Sequence, residues 1–453
     1  MKRTLPAFLL GLLLAPALGA QPHLRLTLDE SEQAAVAASQ TLQAARLDAA
    51  AAKQREQTAS AYLLPRLSLD GNYRYVAEVP SVQLSPKAPA IPFGDNNNYS
   101  LGLTATWDIF GGLGTWRLWQ MATEQRKAKE AEALYQEQAL RLRTRLAYFQ
   151  TQLVATQVRL YADALNLAQS QDNDLALRLK AGTSSRIDAL SASNEELERR
   201  AAFRIAQGDL AASLRELFAL TGLHKDADVS NPVEEAVGQS LPAKVQAPTV
   251  AVVLDPSDSL LGRLAPAEKA AFDPSVNPRL RALLAQVEAA RRGADAAFAG
   301  HYPKGSISGR WSEDYPNGPI LETVDQKSFS ANLSVPLYSF GAVSGQVDEQ
   351  VDLANAAQAR SVAATTDLER DWLKSHDRLA ALKAQREIQA QAAQQSSDLQ
   401  QLVYKAYKVG GSTFLEVQNS SVRSLQAGLA LAITETQILI ELADLAALTE
   451  SAR

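Results

Sequence analysis

The sequence contains no cysteine among its 453 residues. This absence excludes disulfide bonds, thiolate metal sites and a lipid-modified N-terminal cysteine. Histidine is scarce as well. The four histidines are scattered along the chain and do not have the spacing of metal ligands. The loop GGLGTW at 111–116 lacks the preceding buried strand and the following acidic residue of a dinucleotide-binding turn. The sequence therefore favours neither an enzyme nor a cofactor-dependent or metal-dependent protein.

Excess basic charge and long apolar runs are also missing. The formal net charge of −5 at pH 7 argues against binding to nucleic acid. Residues 1–20 begin with Lys2 and Arg3, continue as an apolar run and end in small residues, which is typical of a secretory signal peptide. Beyond this leader the sequence has no apolar run of about 18 residues, so no transmembrane helix is expected. A membrane role would have to come from strands or from a surface helix.

Several sequence landmarks occur twice, in the same order. The segment LKAGTSSRIDAL at 179–190 corresponds to YKVGGSTFLEVQ at 407–418, so that Gly182 matches Gly410. ALTG near Ala219 corresponds to ALTE near Ala447 at the same spacing. Phe110 of ATWDIFGG is matched to Phe340 of VPLYSFGA, at a spacing that is two positions longer. This recurrence predicts an internal duplication.

The duplication divides the chain after the leader into a first repeat at 21–222 and a second at 276–453, joined by a proline-rich linker at 223–275. Each repeat is predicted to contain a helix, a β-hairpin, a long helix and a final helix. In the first repeat these lie at 29–62, about 66–110, 113–180 and 185–221. In the second repeat they lie at 276–299, about 304–338, 343–408 and 413–449. The linker is interpreted as a belt around the helices, with a disordered connection as the alternative.

The final helix carries a seven-residue apolar repeat of the coiled-coil type. One predicted seam is Leu415, Val422, Leu429, Thr436 and Ala443. A second, interleaved seam is Gln418, Leu425, Ala432, Leu439 and Ala446. The small residues in both seams would let helices approach closely, and an ordinary two-stranded coiled coil is the alternative.

The four predicted strands alternate apolar and polar residues. Leu67 and Leu69 share one face of the first strand, whereas Ser68 and Asp70 share the other. This alternation suits the strands of a transmembrane barrel, although half-buried strands of a soluble sheet alternate in the same way. Four strands are too few to close a barrel, and open edges are not tolerated in lipid, so several chains must combine. Two chains would give eight strands and a filled interior, whereas three would give twelve strands and a lumen, which the polar inner face favours.

In these motifs the chain resembles the TolC family of outer membrane efflux proteins over essentially its whole length after the leader. The resemblance rests on KAGTSSRIDALSAS and YKVGGSTFLEVQNS at the turns between helices, on Leu64-Pro65 and on VPLYSFG at 335–341. It implies an α+β membrane protein whose homotrimer forms a twelve-stranded β-barrel, with four strands per chain, continued by a long α-helical coiled-coil tunnel. It also implies an exit duct in the outer membrane of a Gram-negative bacterium, with a periplasmic helical extension. Such a duct serves efflux or type I secretion together with a periplasmic adaptor and an inner-membrane transporter.

The resemblance places the functional residues at the two turns between the last helices of each repeat. The implied adaptor-docking positions are Gly182, Thr183, Gly410 and Gly411. The implied periplasmic gate positions are Asp188, Tyr407, Ser412, Glu416 and Asn419. Tyr407 matches a family tyrosine that bonds to the neighbouring hairpin, and Asp188 matches its acidic partner.

Two gate features of the family are changed in this chain. Ser412 stands where the family has an arginine, and Ile187 stands at the position of that arginine's partner. Of the two aspartate rings of the family, Glu416 keeps one as an acidic ring and Asn419 lacks the charge of the other. The gate is therefore expected to be weakly cation-selective and to lack one bond of the closed state.

Other interpretations remain open at this point. Ser185-x-x-Asp188 and Thr413-x-x-Glu416 also fit capping boxes, so Asp188 and Glu416 can act as helix caps, as gate residues or as both. The chain as a whole could be a passive outer membrane porin or an exported coiled-coil scaffold. The long helical part argues against a diffusion pore, and the leader and the four amphipathic strands argue against a scaffold.

Overall fold

The computed structural model describes residues 23–83, 85, 89–238 and 245–449. The predicted signal peptide at 1–20 lies outside the described residues. The chain divides into two compact units. The first unit comprises the described residues of Met1–Ser39, Ala139–Ala270 and Leu373–Ala447. The second unit comprises the described residues of Gln40–Gln138, Ala271–Trp372 and Leu448–Arg453.

Helices dominate the described chain. In chain order the α-helices are α1 (Leu28–Ala38), α2 (Gln40–Ala61), α3 (Gly114–Lys180), α4 (Arg186–Thr221), α5 (Glu235–Gly238), α6 (Ser257–Leu264), α7 (Pro278–Phe298), α8 (Ala342–Lys408) and α9 (Phe414–Thr449). The strands are β1 (His23–Leu26), β2 (Arg66–Tyr75), β3 (Ser81–Val82), β4 (Ile91–Pro92), β5 (Asn97–Gly111), β6 (Pro232–Glu234), β7 (Val250–Leu254), β8 (Lys304–Tyr315) and β9 (Val324–Ser334). Short 3-10 segments lie at Ala265–Lys269, Pro274–Val276 and Ala299–His301. Across these described helices, none combines the length and the apolar character that crossing a membrane requires.

The long helices of the two halves correspond in length and in spacing. Helices α3 and α8 are equally long, as are α4 and α9, and the offset from α3 to α8 equals the offset from α4 to α9. Left-handed residues precede both long helices, namely Gly112 and Leu113 in the first half and Phe340 and Gly341 in the second. The sequence distance between these two pairs of residues equals the distance between α3 and α8, so Gly112 is the equivalent of Phe340. The pairing of Phe110 with Phe340 inferred from the sequence is therefore two residues out of register.

Two predicted elements differ from the structure by more than a small shift of their ends. The helix predicted at 29–62 is divided into α1 and α2, because Ser39 has an extended backbone with φ −71° and ψ 113°. The second hairpin, predicted to end near 338, ends at Ser334. Pro336 follows within two residues and has no backbone N–H to donate to a strand ladder, which explains the early end.

The described linker residues up to Ala270 belong to the first unit. Strand β7 pairs in parallel with β1 and with β6 to form a three-stranded sheet. The buried hydroxyl of Tyr148 in α3 donates to the carbonyl oxygen of Leu26 at 2.8 Å and accepts from the backbone N–H of Asp255 at 2.9 Å. Burial raises the pKa of Tyr148, so this hydroxyl keeps its proton for both bonds. The described linker residues therefore include strands and short helices.

The second unit contains an antiparallel four-stranded sheet with the order β2-β5-β8-β9. In its register Leu69 lies opposite Leu103, Leu103 opposite Trp311, and Trp311 opposite Lys327. The side chains of one face are mostly large and apolar, and at least 40% of each is exposed: Leu67, Leu69, Tyr73, Leu101, Leu103, Trp107, Trp311, Phe329 and Leu333. The protomer therefore presents a broad apolar sheet face together with two sheet edges, β2 and β9.

Candidate functional site at the turns between helices

The turn from α3 to α4 has the hydrogen bonds of a Schellman motif. The N–H of Thr183 donates to the carbonyl of Arg178 at 2.9 Å, and the N–H of Gly182 donates to the carbonyl of Leu179 at 3.0 Å. This pair of bonds satisfies carbonyls that the end of a helix leaves free. We call this turn the first tip; it covers residues 178–188.

The turn from α8 to α9 repeats the same motif at the equivalent positions of the second half. The N–H of Gly411 donates to the carbonyl of Ala406 at 2.9 Å, and the N–H of Gly410 donates to the carbonyl of Tyr407 at 3.1 Å. We call this turn the second tip; it covers residues 406–416. Both tips lie in the first unit. The sequence repeat thus corresponds to a repeat of the backbone hydrogen bonds.

A glycine occupies the left-handed position of each tip. The φ angle is +74° at Gly182 and +82° at Gly410. A Cβ atom added at either position would meet no atom within 4 Å. The requirement for glycine therefore comes from the backbone conformation alone and not from close packing.

Both predicted capping boxes contain their first bond. The backbone N–H of Asp188 donates to the hydroxyl of Ser185 at 3.0 Å, and that of Glu416 donates to the hydroxyl of Thr413 at 3.3 Å. The second tip also has the return bond, from the N–H of Thr413 to the Glu416 carboxylate at 2.9 Å. The hydroxyl of Ser412 donates to the same carboxylate. Glu416 therefore caps α9 through a reciprocal box with one extra donor.

A small apolar cluster joins the helices behind the tips. Its buried members are Leu175, Ala192, Phe414 and Val417, and the partly buried Val403, Tyr404 and Tyr407 pack against them. The rings of Tyr407 and Phe414 lie 5.6 Å apart. Leu415, which the heptad prediction placed in the seam, is 66% exposed within the protomer. Further along α9 the predicted seam residues Ala432, Leu439 and Ala443 are buried.

A hydrogen bond links the two pairs of helices beside this cluster. The hydroxyl of Tyr404 in α8 donates to the carboxylate of Asp174 in α3 at 3.3 Å. Asp174 also pairs with Arg178 at 3.3 Å, and the ammonium of Lys408 lies 4.5 Å from the centre of the Tyr404 ring. Burial and the Asp174 carboxylate raise the pKa of Tyr404, so its hydroxyl remains a donor near neutral pH.

Tyr407 and Asp188 lie close enough to interact electrostatically. Burial raises the pKa of Tyr407, and the Asp188 carboxylate raises it further. Within the described protomer, however, no hydrogen bond joins these two side chains, and Asp188 uses its backbone N–H in the cap. Within the protomer, the tyrosine-to-acid hydrogen bond of this region joins Tyr404 to Asp174.

The exposed face of the second tip carries negative charge. The hydroxyl of Ser412 and the N–H of Thr413 lower the pKa of Glu416, whose carboxylate is exposed and therefore charged at neutral pH. Asn419 lies three residues later in α9 and is also exposed. Glu416 and Asn419 share one helix face, as positions three apart do, and only Glu416 contributes charge.

The structure therefore brings Ser412 and Glu416 into direct contact and places Asp188 near Tyr407. Gly182, Thr183, Gly410 and Gly411 lie at the exposed turns. Sequence reasoning missed Asp174 and Tyr404. Tyr404 lies three residues before Tyr407, so helical spacing alone indicates that the two rings share a face. In the described chain no group of three or more His, Cys, Asp or Glu side chains is arranged to hold a metal ion.

Comparisons with known proteins address the chain as a whole. A family model described as outer membrane efflux protein matches residues 32–223 and 275–450. The two matched segments fall on the two predicted repeats. A comparison with curated protein sequences finds no match.

Solved structures similar to this chain include outer membrane proteins of three bacteria. The outer membrane protein VceC of Vibrio cholerae is 18% identical with a TM-score of 0.73, over 94% of this chain and 97% of its own. The outer membrane channel CmeC of Campylobacter jejuni is 12% identical with a TM-score of 0.74, over 94% and 86%. MtrE of Neisseria gonorrhoeae, an outer membrane channel in its open state, is 18% identical with a TM-score of 0.70, over 94% and 89%. At this level of identity the likeness establishes the fold.

Proposed function

Because the chain belongs to the outer membrane efflux protein family, we propose that it forms the outer membrane exit duct of a tripartite efflux or type I secretion system. The family is one of transport channels and not of enzymes. In the proposed system a periplasmic adaptor and an inner-membrane transporter deliver substrate to the duct. The duct then conducts the substrate to the exterior of a Gram-negative cell, without a cofactor.

The observation that carries the proposal is the incomplete sheet of the second unit. Its apolar face is exposed along all four strands, and its edges β2 and β9 end the sheet within the protomer. A sheet in lipid must be closed, since unpaired backbone groups cost several kcal/mol each in hydrocarbon. Three protomers joined edge to edge give twelve strands, with the apolar face toward lipid and the polar face toward a lumen. The helices of the three chains would continue the duct as a periplasmic tunnel.

The two tips are proposed as the gate and as the adaptor-docking surface. Exposed apolar side chains surround the docking glycines and Thr183, namely Ile187 and Leu190 at the first tip and Val409 and Leu415 at the second. Exposed apolar groups of this kind suit contact with a partner protein. Three copies of Glu416 would form the acidic ring of the gate, while Tyr407, Asp188, Ser412 and Asn419 line its approach.

A pair of adjacent substitutions tests the barrel. Leu69→Lys places a charge on the apolar face, whereas Ser68→Lys places the same charge one residue away on the polar face; both positions are exposed in the protomer. A lysine facing lipid costs about 2–4 kcal/mol at the middle of the layer and less near its surfaces, so Leu69→Lys should reduce heat-stable trimer in outer membrane extracts. Ser68→Lys should leave the trimer at the level of the unchanged protein.

Mass measurement in mild detergent completes the test. The proposal expects three chains per particle and ion-conducting channels in planar bilayers. A stable monomer or dimer, or equal tolerance of lysine on both faces, would contradict it. A passive porin would give channels but no complex with an adaptor, so cross-linking at Gly411→Cys in intact cells separates that alternative. Because the chain has no other cysteine, the cross-link reports on the second tip alone.

A further inference from the structure

The polar face of the four-stranded sheet carries an arginine at mid-strand. Arg310 lies near the middle of β8, opposite Thr104 of β5 and opposite Ser328 of β9. The register places it on the same face as the hydroxyl and carboxylate side chains of the neighbouring strands, away from Trp311 and the apolar face. Arg310 is therefore neither at a sheet edge nor at a strand end.

Hydrogen bonds hold the Arg310 side chain in place. Its Nη2 donates to the hydroxyl of Ser100 at 2.9 Å. Ser100 in turn donates to the carboxylate of Asp314 at 2.6 Å, and Ser312 donates to the other oxygen of that carboxylate at 3.1 Å. The chain of bonds crosses from β8 to β5 and back, so the guanidinium is fixed against the sheet.

A glycine makes room for this arrangement. A Cβ atom added at Gly102 of β5 would lie 3.0 Å from Nη2 and 3.1 Å from Cζ of Arg310, and 2.7 Å from Cβ of Ser312. The 2.7 Å approach is closer than side-chain carbons come, so any other residue would displace the neighbouring strand or the arginine. Gly102 thus leaves the space in which the guanidinium lies.

The charge of Arg310 has no direct counterion in the described chain, since none of its nitrogens forms an ion pair with a described carboxylate. Arg66, on the same face, differs because it pairs with Asp108 at 3.1 Å. A guanidinium has five N–H donors, and the bond to Ser100 uses one of them. The remaining donors of this half-exposed side chain can serve a ligand on the open side of the sheet.

We propose that Arg310 is an anion-contact site that binds carboxylate, sulfonate or phosphate groups of substrates during export. The inference rests on the proposed function, in which the polar face lines the lumen and three protomers bring three copies of Arg310 to one level. A planar guanidinium matches the paired oxygens of such groups. Its field reaches about 8–10 Å at ordinary salt, so it also favours small anions that pass near the wall.

Reversal potentials in planar bilayers test the site, with gradients of KCl and of potassium phosphate as probes. Arg310→Gln should lower the permeability of chloride and of phosphate relative to potassium, by about twofold or more, since one fixed positive charge per chain is lost. Lys327→Gln is the matched control. It also removes one positive charge. Lys327 pairs with Trp311, one register position from the pair of Arg310 and Ser328, and therefore lies on the opposite, apolar face of the sheet. This control should leave both permeability ratios unchanged.

Arg310→Lys separates charge from shape. It should keep the chloride permeability, because the charge remains. It should lower the phosphate permeability, because the planar guanidinium with its paired N–H donors is lost. If Arg310→Gln conducts with unchanged ratios, or if Arg310→Lys keeps the phosphate permeability, the anion-contact site is refuted and the duct is not. If the unchanged protein forms no channel, the proposed function itself fails. Should Arg310→Gln not insert, the lysine variant alone decides.

Discussion

Replacing Gly182 or Gly410 by alanine tests the backbone requirement of the tips without any steric clash. Both glycines have positive φ, and the space around each Cβ position is empty to 4 Å. The cost of alanine is therefore the left-handed conformation alone, about 1–2 kcal/mol per position. Gly208 in α4 is the control, since its Cβ position is also empty and its φ is not positive. There alanine should stabilise the helix by about 0.5–1 kcal/mol.

Hydrogen exchange measures this cost at the two amides that close the turns. The N–H of Thr183 reports on the first tip and the N–H of Gly411 on the second, because each donates the longer-range bond of its Schellman motif. A loss of about 1–2 kcal/mol should speed their exchange by roughly 5–30-fold in the corresponding variant. Each variant should affect its own tip only.

Two results would refute this reasoning. Unchanged exchange of Thr183 in Gly182→Ala, or of Gly411 in Gly410→Ala, would mean that the left-handed residue does not determine the stability of the turn. An equally large effect of Gly208→Ala would mean that loss of any glycine perturbs the helices. If the tips also dock an adaptor, valine at both positions should impair export while the trimer stays intact.

Three further outcomes follow from single contacts. Tyr404→Phe removes the hydrogen bond to Asp174, which is worth about 1 kcal/mol at a half-buried site. This variant should therefore raise the frequency of open channels in planar bilayers. Tyr407→Phe should have a smaller effect, because it removes no hydrogen bond to Asp188. Glu416→Gln keeps the cap but removes the charge, so it should lower cation selectivity at neutral pH. The Ser412 and Thr413 donors lower the pKa of Glu416, whereas neighbouring carboxylates in the proposed ring would raise it, so the pH at which the unchanged channel loses cation selectivity shows which effect dominates. Gly102→Ala should reduce the yield of folded trimer in detergent, whereas alanine at Gly309, whose Cβ position is empty, should not.

The helices could be read from the sequence because local signals mark their ends. Glycines and capping residues lie at the boundaries of α3, α4, α8 and α9, so the predicted ends differ from the observed ones by at most a single residue. The strands could be predicted in the same way, since the alternation of apolar and polar residues along each strand indicates which side chains share a face. These features depend on neighbours in the chain, and no distant contact is needed to infer them.

Features that depend on contacts between distant residues could not be predicted from the sequence. The parallel pairing of β1 with β7 joins residues that lie far apart in the sequence, and both strands are short. The bond from Tyr404 to Asp174 and the bond from Arg310 to Ser100 span similar separations. A heptad pattern shows which residues share a seam but not what covers them, and within the protomer the chain buries Phe414 and leaves Leu415 exposed.

The two tips share the backbone features that the fold requires and differ in their side chains. Their backbones are the same, since reversing a helix requires a left-handed residue and a cap at the next helix start whichever half is considered. Their side chains differ: the second tip has the complete capping box of Thr413 and Glu416, with Ser412 as an extra donor, and buries Phe414. The equivalent of Phe414 in the first tip is Arg186, which is exposed. The difference agrees with the proposed acidic ring at the second tip, whereas exposed apolar side chains suit contact with a partner at both tips: Ile187 at the first and Val409 and Leu415 at the second.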